Sequence, residues 1–313
     1  MILDPRDPKP GVYDGVPATV YHDMDLISAS GLKTLDGDCA AQYRFDADNP
    51  SDDASNASDI GSAAHFAFLE PHDFERKVVR LDVDSFQTRA AREMRDIARA
   101  EGRTALKAKD FDTVLAMREA LVRQVGNLFV GGAAERIYVW RDTRTGVLCK
   151  ARVDYVRPNL LIDYKTSGSA NPRAFRARCW DNGHHIQAWF YLYGHEMLTG
   201  EAASWRWVVQ STKAPFLVTA HKPTASLLGW AEQQGRAALQ QYARCLQSGL
   251  WPGYGDAVWP VELPSWAQYQ LCERAENGDF HLETAPKRQK KTLKPAEVER
   301  SIAAFSPLSG GLT

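Results

Sequence analysis

Two aspartates and a lysine lie close together in residues 147–165, Val-Leu-Cys-Lys-Ala-Arg-Val-Asp-Tyr-Val-Arg-Pro-Asn-Leu-Leu-Ile-Asp-Tyr-Lys. Paired carboxylates are hard oxygen ligands that suit Mg²⁺. An ion held by them can bridge to a substrate phosphate and lower the pKa of bound water. A lysine beside it can orient or deprotonate that water, or stabilise developing charge. The alternative is a surface hairpin whose charges pair across the strands.

How these groups would meet can be read locally. Arg157-Pro158-Asn159-Leu160 has turn chemistry, since Pro fixes φ and Asn tolerates the left-handed region. A hairpin symmetric about that turn sets Asp154 opposite Asp163 and Arg152 opposite Lys165. Period-2 alternation gathers these four on one face and leaves Ala151, Val153, Tyr155, Ile162 and Tyr164 to the other. Like charges directly opposed destabilise a strand pair, and a cation between them removes that cost.

The flanking elements follow in chain order. Residues 1–27 are rich in Pro, Gly and Asp and read as an extended N-terminal segment. Ser28-Ala-Ser30 then caps a helix starting at Gly31-Leu32-Lys33. Residues 46–59 carry five Asp and read as a solvated loop. A helix from Ser58 to Glu70 contains Gly61, Ala63 and Ala64, which permit close approach, and then His65. That histidine is either a core residue with a satisfied hydrogen bond or a metal ligand on a buried helix. Residues 84–125 have helical periodicity, with Ala90, Met94, Ile97 and Ala98 on one apolar face. The same stretch carries Arg89, Arg92, Arg95, Arg99, Arg103, Lys107 and Lys109, a solvated face or a stripe along a DNA backbone.

Residues 135–141 read as a strand, joined to the central hairpin by a loop at 142–146. A helix over roughly 172–198, interrupted at Asn182-Gly183, carries Gln187 and Tyr191 on one face because they are four apart. Strands at 204–210 and 216–221 precede an amphipathic helix at 224–249. The Pro/Trp-rich tail, 251–313, reads as loop and contains a basic cluster, Lys287-Arg288-Gln289-Lys290-Lys291, with Lys294 close by. That cluster is either a DNA-touching arm or a solubilising tail. The order predicts an α/β fold with a mixed central sheet flanked by helices. A main domain would span 28–250, with its core at about 58–221.

Composition bounds the function classes. The 313 residues are 44% hydrophobic with a net charge of −1, so DNA affinity would have to come from local clusters of charge. Five cysteines, Cys39, Cys149, Cys179, Cys245 and Cys272, have no close pair, which argues against a zinc site, an iron–sulfur cluster or a disulfide scaffold. The opening residues have no signal-peptide pattern, and no apolar run reaches 18 residues. The expectation is a cytoplasmic protein with no membrane association. There is no phosphate-binding Gly-rich loop, Ser nucleophile elbow or HExxH.

The ordered set Gly61-Ser-Ala-Ala-His65, Val153-Asp154, Ile162-Asp163-Tyr164-Lys165 and Gln187-Ala-Trp-Phe-Tyr191 resembles the PD-(D/E)xK nuclease superfamily. Within it the likeness is to the exodeoxyribonuclease VIII-like branch, near RecB-type and lambda-type exonucleases. Ile27-Ser-Ala-Ser-Gly-Leu-Lys33 and Cys39-Ala-Ala-Gln-Tyr43 also resemble that branch. The resemblance implies a restriction-endonuclease-like core with helical elaborations. It implies that His65, Asp154 and Asp163 ligate Mg²⁺ or Mn²⁺ together with the Tyr164 backbone carbonyl, and that Lys165 activates the attacking water. Gln187 and Tyr191 would orient Lys165 or contact the DNA backbone, while Arg152 and the Arg89, Arg92, Arg95 and Arg99 series would bind DNA.

The implied activity is 5′-to-3′ digestion of linear double-stranded DNA ends, leaving 3′ overhangs for recombination. The implied partners are a homo-oligomeric ring and a phage single-strand annealing protein, with the gene of phage or prophage origin in a bacterial host. Relatives with an iron–sulfur cluster carry four grouped cysteines, and the scatter here favours the cluster-free branch. The competing readings are an endonuclease on the same core and a non-catalytic DNA-binding subunit. Against the first, the sequence has no separate DNA-reading module. Against the second, both aspartates and Lys165 are intact.

Overall fold

The computed structural model of the chain describes residues 3–49 and 56–280. In chain order it has β1 (Gly11–Tyr13), α1 (Ala18–Asp23), α2 (Ala29–Gly37), α3 (Ala40–Asp48), α4 (Asn56–Leu69) and α5 (Phe74–Lys77). Next come β2 (Val78–Leu81), α6 (Arg89–Ala100), β3 (Thr104–Lys107), α7 (Ala108–Val125) and β4 (Ala133–Arg141). The hairpin strands are β5 (Leu148–Arg157) and β6 (Leu160–Ser167). The remainder is α8 (Pro172–Asp181), α9 (His184–Thr199), β7 (Ser204–Ser211), β8 (Val218–His221), α10 (Ala225–Ser248) and α11 (Ser265–Glu276). The chain divides into two compact units, residues 1–255 and 256–313, and α11 belongs to the second.

A six-stranded sheet in the order β1-β4-β5-β6-β7-β8 forms the centre of the first unit. It is antiparallel except for the parallel pair β6–β7. Helices cover both faces, as the α/β reading predicts. On one side Ala151, Val153, Leu161, Trp205 and Trp207 pack with Phe190 of α9 and Leu239 of α10. On the other, Tyr155, Ile162, Tyr164 and Val208 pack with Ala64 of α4 and Met117 of α7. Ser28 caps α2 by accepting from Gly31 N–H, and Asn171 caps α8.

Several local readings are corrected by long-range packing. Residues 3–27 are not simply extended. They supply edge strand β1 and helix α1, and Leu3, Tyr13, Tyr21 and Met24 build a small core against Ile137 and Val139. The 84–125 stretch is two helices, with β3 between them pairing in parallel with β2. On α6 the buried residues are Ala91 and Ala98, whereas Met94 and Ile97 face solvent, so the apolar face assigned from periodicity is rotated. The tail is not all loop, because α11 runs through a stretch without Pro or Gly. The basic cluster at 287–291 and residues 50–55 lie outside the described residues, while the ends of the stretch read as a loop are helical, 46–48 in α3 and 56–59 in α4.

Two helix–helix or helix–sheet contacts are so close that only glycine fits. A Cβ on Gly235 of α10 would sit 2.1 Å from Trp189 of α9, and one on Gly194 would sit 2.7 Å from Trp140. Trp189 stacks on Tyr193, and Arg236 lies over both rings, so the indole has nowhere to retreat. Gly235→Ala is expected to destabilise the fold by about 1–3 kcal/mol, the usual cost of overpacking. Thermal denaturation checks this, and an unchanged midpoint would show that the α9–α10 seam yields freely.

Candidate active site

The site lies where the central hairpin opens. β5 and β6 pair as Arg157↔Leu160, Val156↔Leu161 and Tyr155↔Ile162, the register of a turn-symmetric hairpin. Beyond that point the expected Asp154–Asp163 pair does not form. The Asp154 carboxylate instead accepts the Tyr164 N–H at 2.7 Å. Asp163 turns to the α9 face, where its Oδ1 accepts from Lys165 Nζ at 2.7 Å and Gln187 Nε2 at 3.0 Å. Two carboxylates opposite one another repel, and each has found a donor that separates it from the other.

Alternation breaks at the same place. Val153 faces α9, yet Tyr155 faces α4 and α7, so Tyr155 is not on the face shared by Ala151 and Val153. The neighbouring strand distorts in step. β4 pairs with β5 through Ala134↔Tyr155 and Arg136↔Val153, and Glu135 between them has φ 54°. A non-glycine residue in the left-handed region carries strain that the surrounding structure must offset. Here the distortion brings Glu135 to Asp154 and to His65 of α4. His65 Nδ1 is 4.0 Å from Glu135 Oε1 and 3.9 Å from Asp154 Oδ2. One ligand atom from each of His65, Glu135 and Asp154 lies within 4.8 Å of the others.

Glu135 is the site residue that sequence reading missed. A signal for it existed, since a hairpin symmetric about residues 142–147 places Glu135 opposite Asp154, and Asp142 N–H does bond to the Val147 carbonyl. Arg152 does not face Lys165. It lies 3.1 Å from Glu135 Oε2 and 3.5 Å from Glu70 Oε1, so it anchors the distorted glutamate. The Tyr164 ring lies tilted against the His65 ring, with centroids 4.9 Å apart. Tyr191 of α9 is buried and lines the same groove of about 590 Å³ as His65, Glu135, Asp154 and Lys165. Gly61 is where α4 comes close to β6, since a Cβ there would reach Thr166 Oγ1 at 3.0 Å.

The α6 arginines are partly committed to acids of the chain. Arg89 pairs with Glu93 at 2.8 Å, Arg95 with Asp96 at 2.8 Å and Arg99 with Asp59 at 2.9 Å. Arg92 is exposed. Asp59 is two residues before Gly61 on α4, so Arg99 ties α6 to the helix that carries His65.

The electrostatics fit a cation site. Burial first, then the Asp163 and Glu135 charges, push the Asp154 carboxyl up to about 7, against the pull of His65 and Lys165. Burial alone would lower the His65 pKa, but the Asp154 and Glu135 carboxylates raise it above its usual value. Burial likewise opposes charge on Lys165, but Asp163 and Asp154 outweigh it and hold the ammonium protonated. One imidazole and two carboxylates, close, partly buried and mutually repelling, are a donor set that a divalent cation would satisfy.

A pH effect follows. Asp154 binds a proton more tightly folded than unfolded, so between about pH 4 and 7 its contribution to stability falls as pH rises. A divalent cation can bind only after that proton leaves, and binding stabilises the fold by mass action. Millimolar Mg²⁺ is therefore expected to raise the melting temperature more at pH 8 than at pH 6. An equal gain at both would remove Asp154 from the ion's ligands.

Comparison with known proteins accords with this architecture. A family model described as "PDDEXK-like domain of unknown function (DUF3799)" matches residues 28–259. No curated protein matches the chain. Among solved structures, one from Eubacterium rectale designated "Putative exonuclease" is similar, with 14% identity, 78% of this chain and 92% of that chain covered, and a TM-score of 0.54. A second, SSO0001, is 14% identical over 68% of this chain and 76% of its own, with a TM-score of 0.29, too low to indicate a shared fold.

Proposed function

The chain belongs to the PDDEXK-like family DUF3799 of the PD-(D/E)xK nuclease superfamily, and from that premise we propose that it is a divalent-metal-dependent exonuclease. Its substrate on this reading is linear double-stranded DNA, digested from the 5′ end to leave 3′ overhangs. The observation that carries the reading is the opening of the hairpin. There Lys165, held from behind by Asp163, and the His65–Glu135–Asp154 cluster border one groove. The designation of the Eubacterium rectale protein supports exonuclease over endonuclease.

An ion held by His65, Glu135 and Asp154, Mg²⁺ or Mn²⁺, would supply Lewis acidity at a phosphodiester oxygen and a more acidic bound water. The chain's own groups do the rest. Lys165 is kept charged by Asp163, so it acts as a donor that orients water and stabilises developing negative charge. Gln187 acts through Asp163, fixing the carboxylate that fixes the lysine. Arg152 holds Glu135 in place, and Tyr191 walls the groove.

Digestion of 5′- and 3′-labelled linear duplex with Mg²⁺, beside a closed circle, tests the proposal. The expected result is early release of the 5′ label and an intact circle. Cleavage of the circle would replace it with an endonuclease, and no metal-dependent cleavage of either would leave a DNA-binding subunit. The exposed ion pairs of α6 are weak, so DNA phosphates can displace their acids. Neutralising Arg89, Arg92 and Arg95 together is expected to reduce the salt dependence of DNA affinity by roughly one log unit per log of salt for each phosphate no longer neutralised. An unchanged slope would take α6 off the DNA path.

The same reading includes a homo-oligomeric ring around the duplex and a single-strand annealing protein as partner. Light scattering that gives a monomer while digestion stays processive would refute the ring. No helix among the described residues is long and apolar enough to cross a membrane.

A further inference from the structure

A second cavity lies on the α9 face of the sheet, two strands along from the catalytic aspartate. Parallel pairing sets Trp207 of β7 beside Asp163, and antiparallel pairing sets His221 of β8 beside Trp207. Paired residues share a face, so Asp163, Trp207 and His221 form one row across three strands, about 10 Å long at the usual strand spacing. Phe175 of α8 closes over the row, with ring centroids 5.7 Å from Trp207 and 4.5 Å from His221. Phe175 also stacks parallel to His184 at 6.2 Å.

The cavity holds about 470 Å³ and is walled by Phe175, Trp180, Trp207, His221 and Leu227, with Arg176 and Lys222 at its edge. Trp180 is 59% exposed, and one face of its ring stacks on His185 at 4.9 Å. The indole N–H of Trp207 is buried and finds no acceptor among the described residues. Arg176 and Lys222 are exposed. Nothing in the nuclease mechanism uses this cavity.

We propose that this cavity seats an unpaired nucleobase of the DNA strand, with the neighbouring phosphates held by Arg176 and Lys222. An aromatic slot with a cationic edge is what single-stranded nucleic acid selects, because every base has a stacking face and every linkage a charge. The row from Asp163 to His221 places the base within a nucleotide or two of the scissile position. This reading rests on the proposed nuclease function, and it adds that the enzyme grips frayed or already single-stranded DNA beside the cleavage point. A peptide bearing an aromatic residue and carboxylates has similar chemistry, but the shared row with Asp163 favours the substrate strand.

The test uses the full-length protein with EDTA, so binding is read without cleavage. Fluorescence anisotropy of a labelled oligothymidylate is compared with the same strand carrying abasic sites. The wild-type protein is expected to bind the base-bearing strand about tenfold more tightly. Arg176→Glu with Lys222→Glu, both exposed and so compatible with folding, should weaken both probes several-fold or more. Phe175→Leu should remove the difference between the two probes, and a circular dichroism melt confirms that the variant is folded. Equal affinity for base-bearing and abasic strands in the wild type would overturn the proposal. So would tight binding of an acidic Phe-containing peptide that the charge reversals abolish while oligonucleotide affinity is unaffected. Loss of the nuclease reading shows differently, as base-dependent binding without metal-dependent cleavage.

Discussion

Lys165→Ala is expected to lower metal-dependent cleavage by about 10²–10⁴-fold, the span typical of a removed proton-transfer or charge-stabilising group, with the fold intact. Lys165 Nζ lies 2.7 Å from Asp163 Oδ1, and that carboxylate is only 1% exposed. Removing the ammonium leaves the buried charge with Gln187 as its remaining donor, so some stability will also be lost. Rates should therefore be measured at low temperature on protein shown to be folded by circular dichroism. Asp163→Asn is the companion. It preserves shape but withdraws the charge that keeps Lys165 protonated, and it too should lose most activity. Activity within a few fold of wild type in Lys165→Ala would remove Lys165 from the chemistry.

Glu135→Gln separates the geometry of the folded site from the hairpin inferred locally. If His65, Glu135 and Asp154 are the ligand set, the amide should weaken divalent-ion affinity by more than tenfold, with part of the activity restored by raised Mn²⁺. His65→Ala should behave in the same way. If His65 were only a core histidine, that variant would melt lower but keep its specific activity. Isothermal titration of the metal at pH 8, where Asp154 is mostly ionised, reads the affinity directly. Wild-type affinity and near wild-type cleavage in Glu135→Gln would return the site to Asp154 and Asp163 alone. Arg152 retains Glu70 in this variant, so a large loss of stability is not expected.

Much of the fold was legible locally. The turn at residues 157–160, the strands either side and the break at Asn182-Gly183 rest on short-range chemistry: Pro and Asn in the turn, period-2 alternation in the strands, and glycine in the left-handed region at the head of α9. Gly61 and the alanines near it marked the helix that must come close to the sheet. Asp59 was read as part of a solvated loop because charge by itself specifies no partner, yet it is buried and paired with Arg99 of α6.

Residue types, order and the hairpin register were thus determined by the sequence alone, and with them the candidate groups His65, Asp154, Asp163, Lys165 and Gln187. Tertiary structure decided which of them meet. Alternation is a property of an undistorted strand, and β4 and β5 are distorted together at Glu135 and Asp154. Gln187 of α9 helps hold Asp163 on the α9 face, His65 of α4 faces Asp154, and Arg152 holds Glu135 beside it; α4 and α9 are distant in sequence from the hairpin. The rotated face of α6 has the same origin. Periodicity finds the apolar positions of a helix, but only the surface it packs against selects Ala91 and Ala98 for burial over Met94 and Ile97.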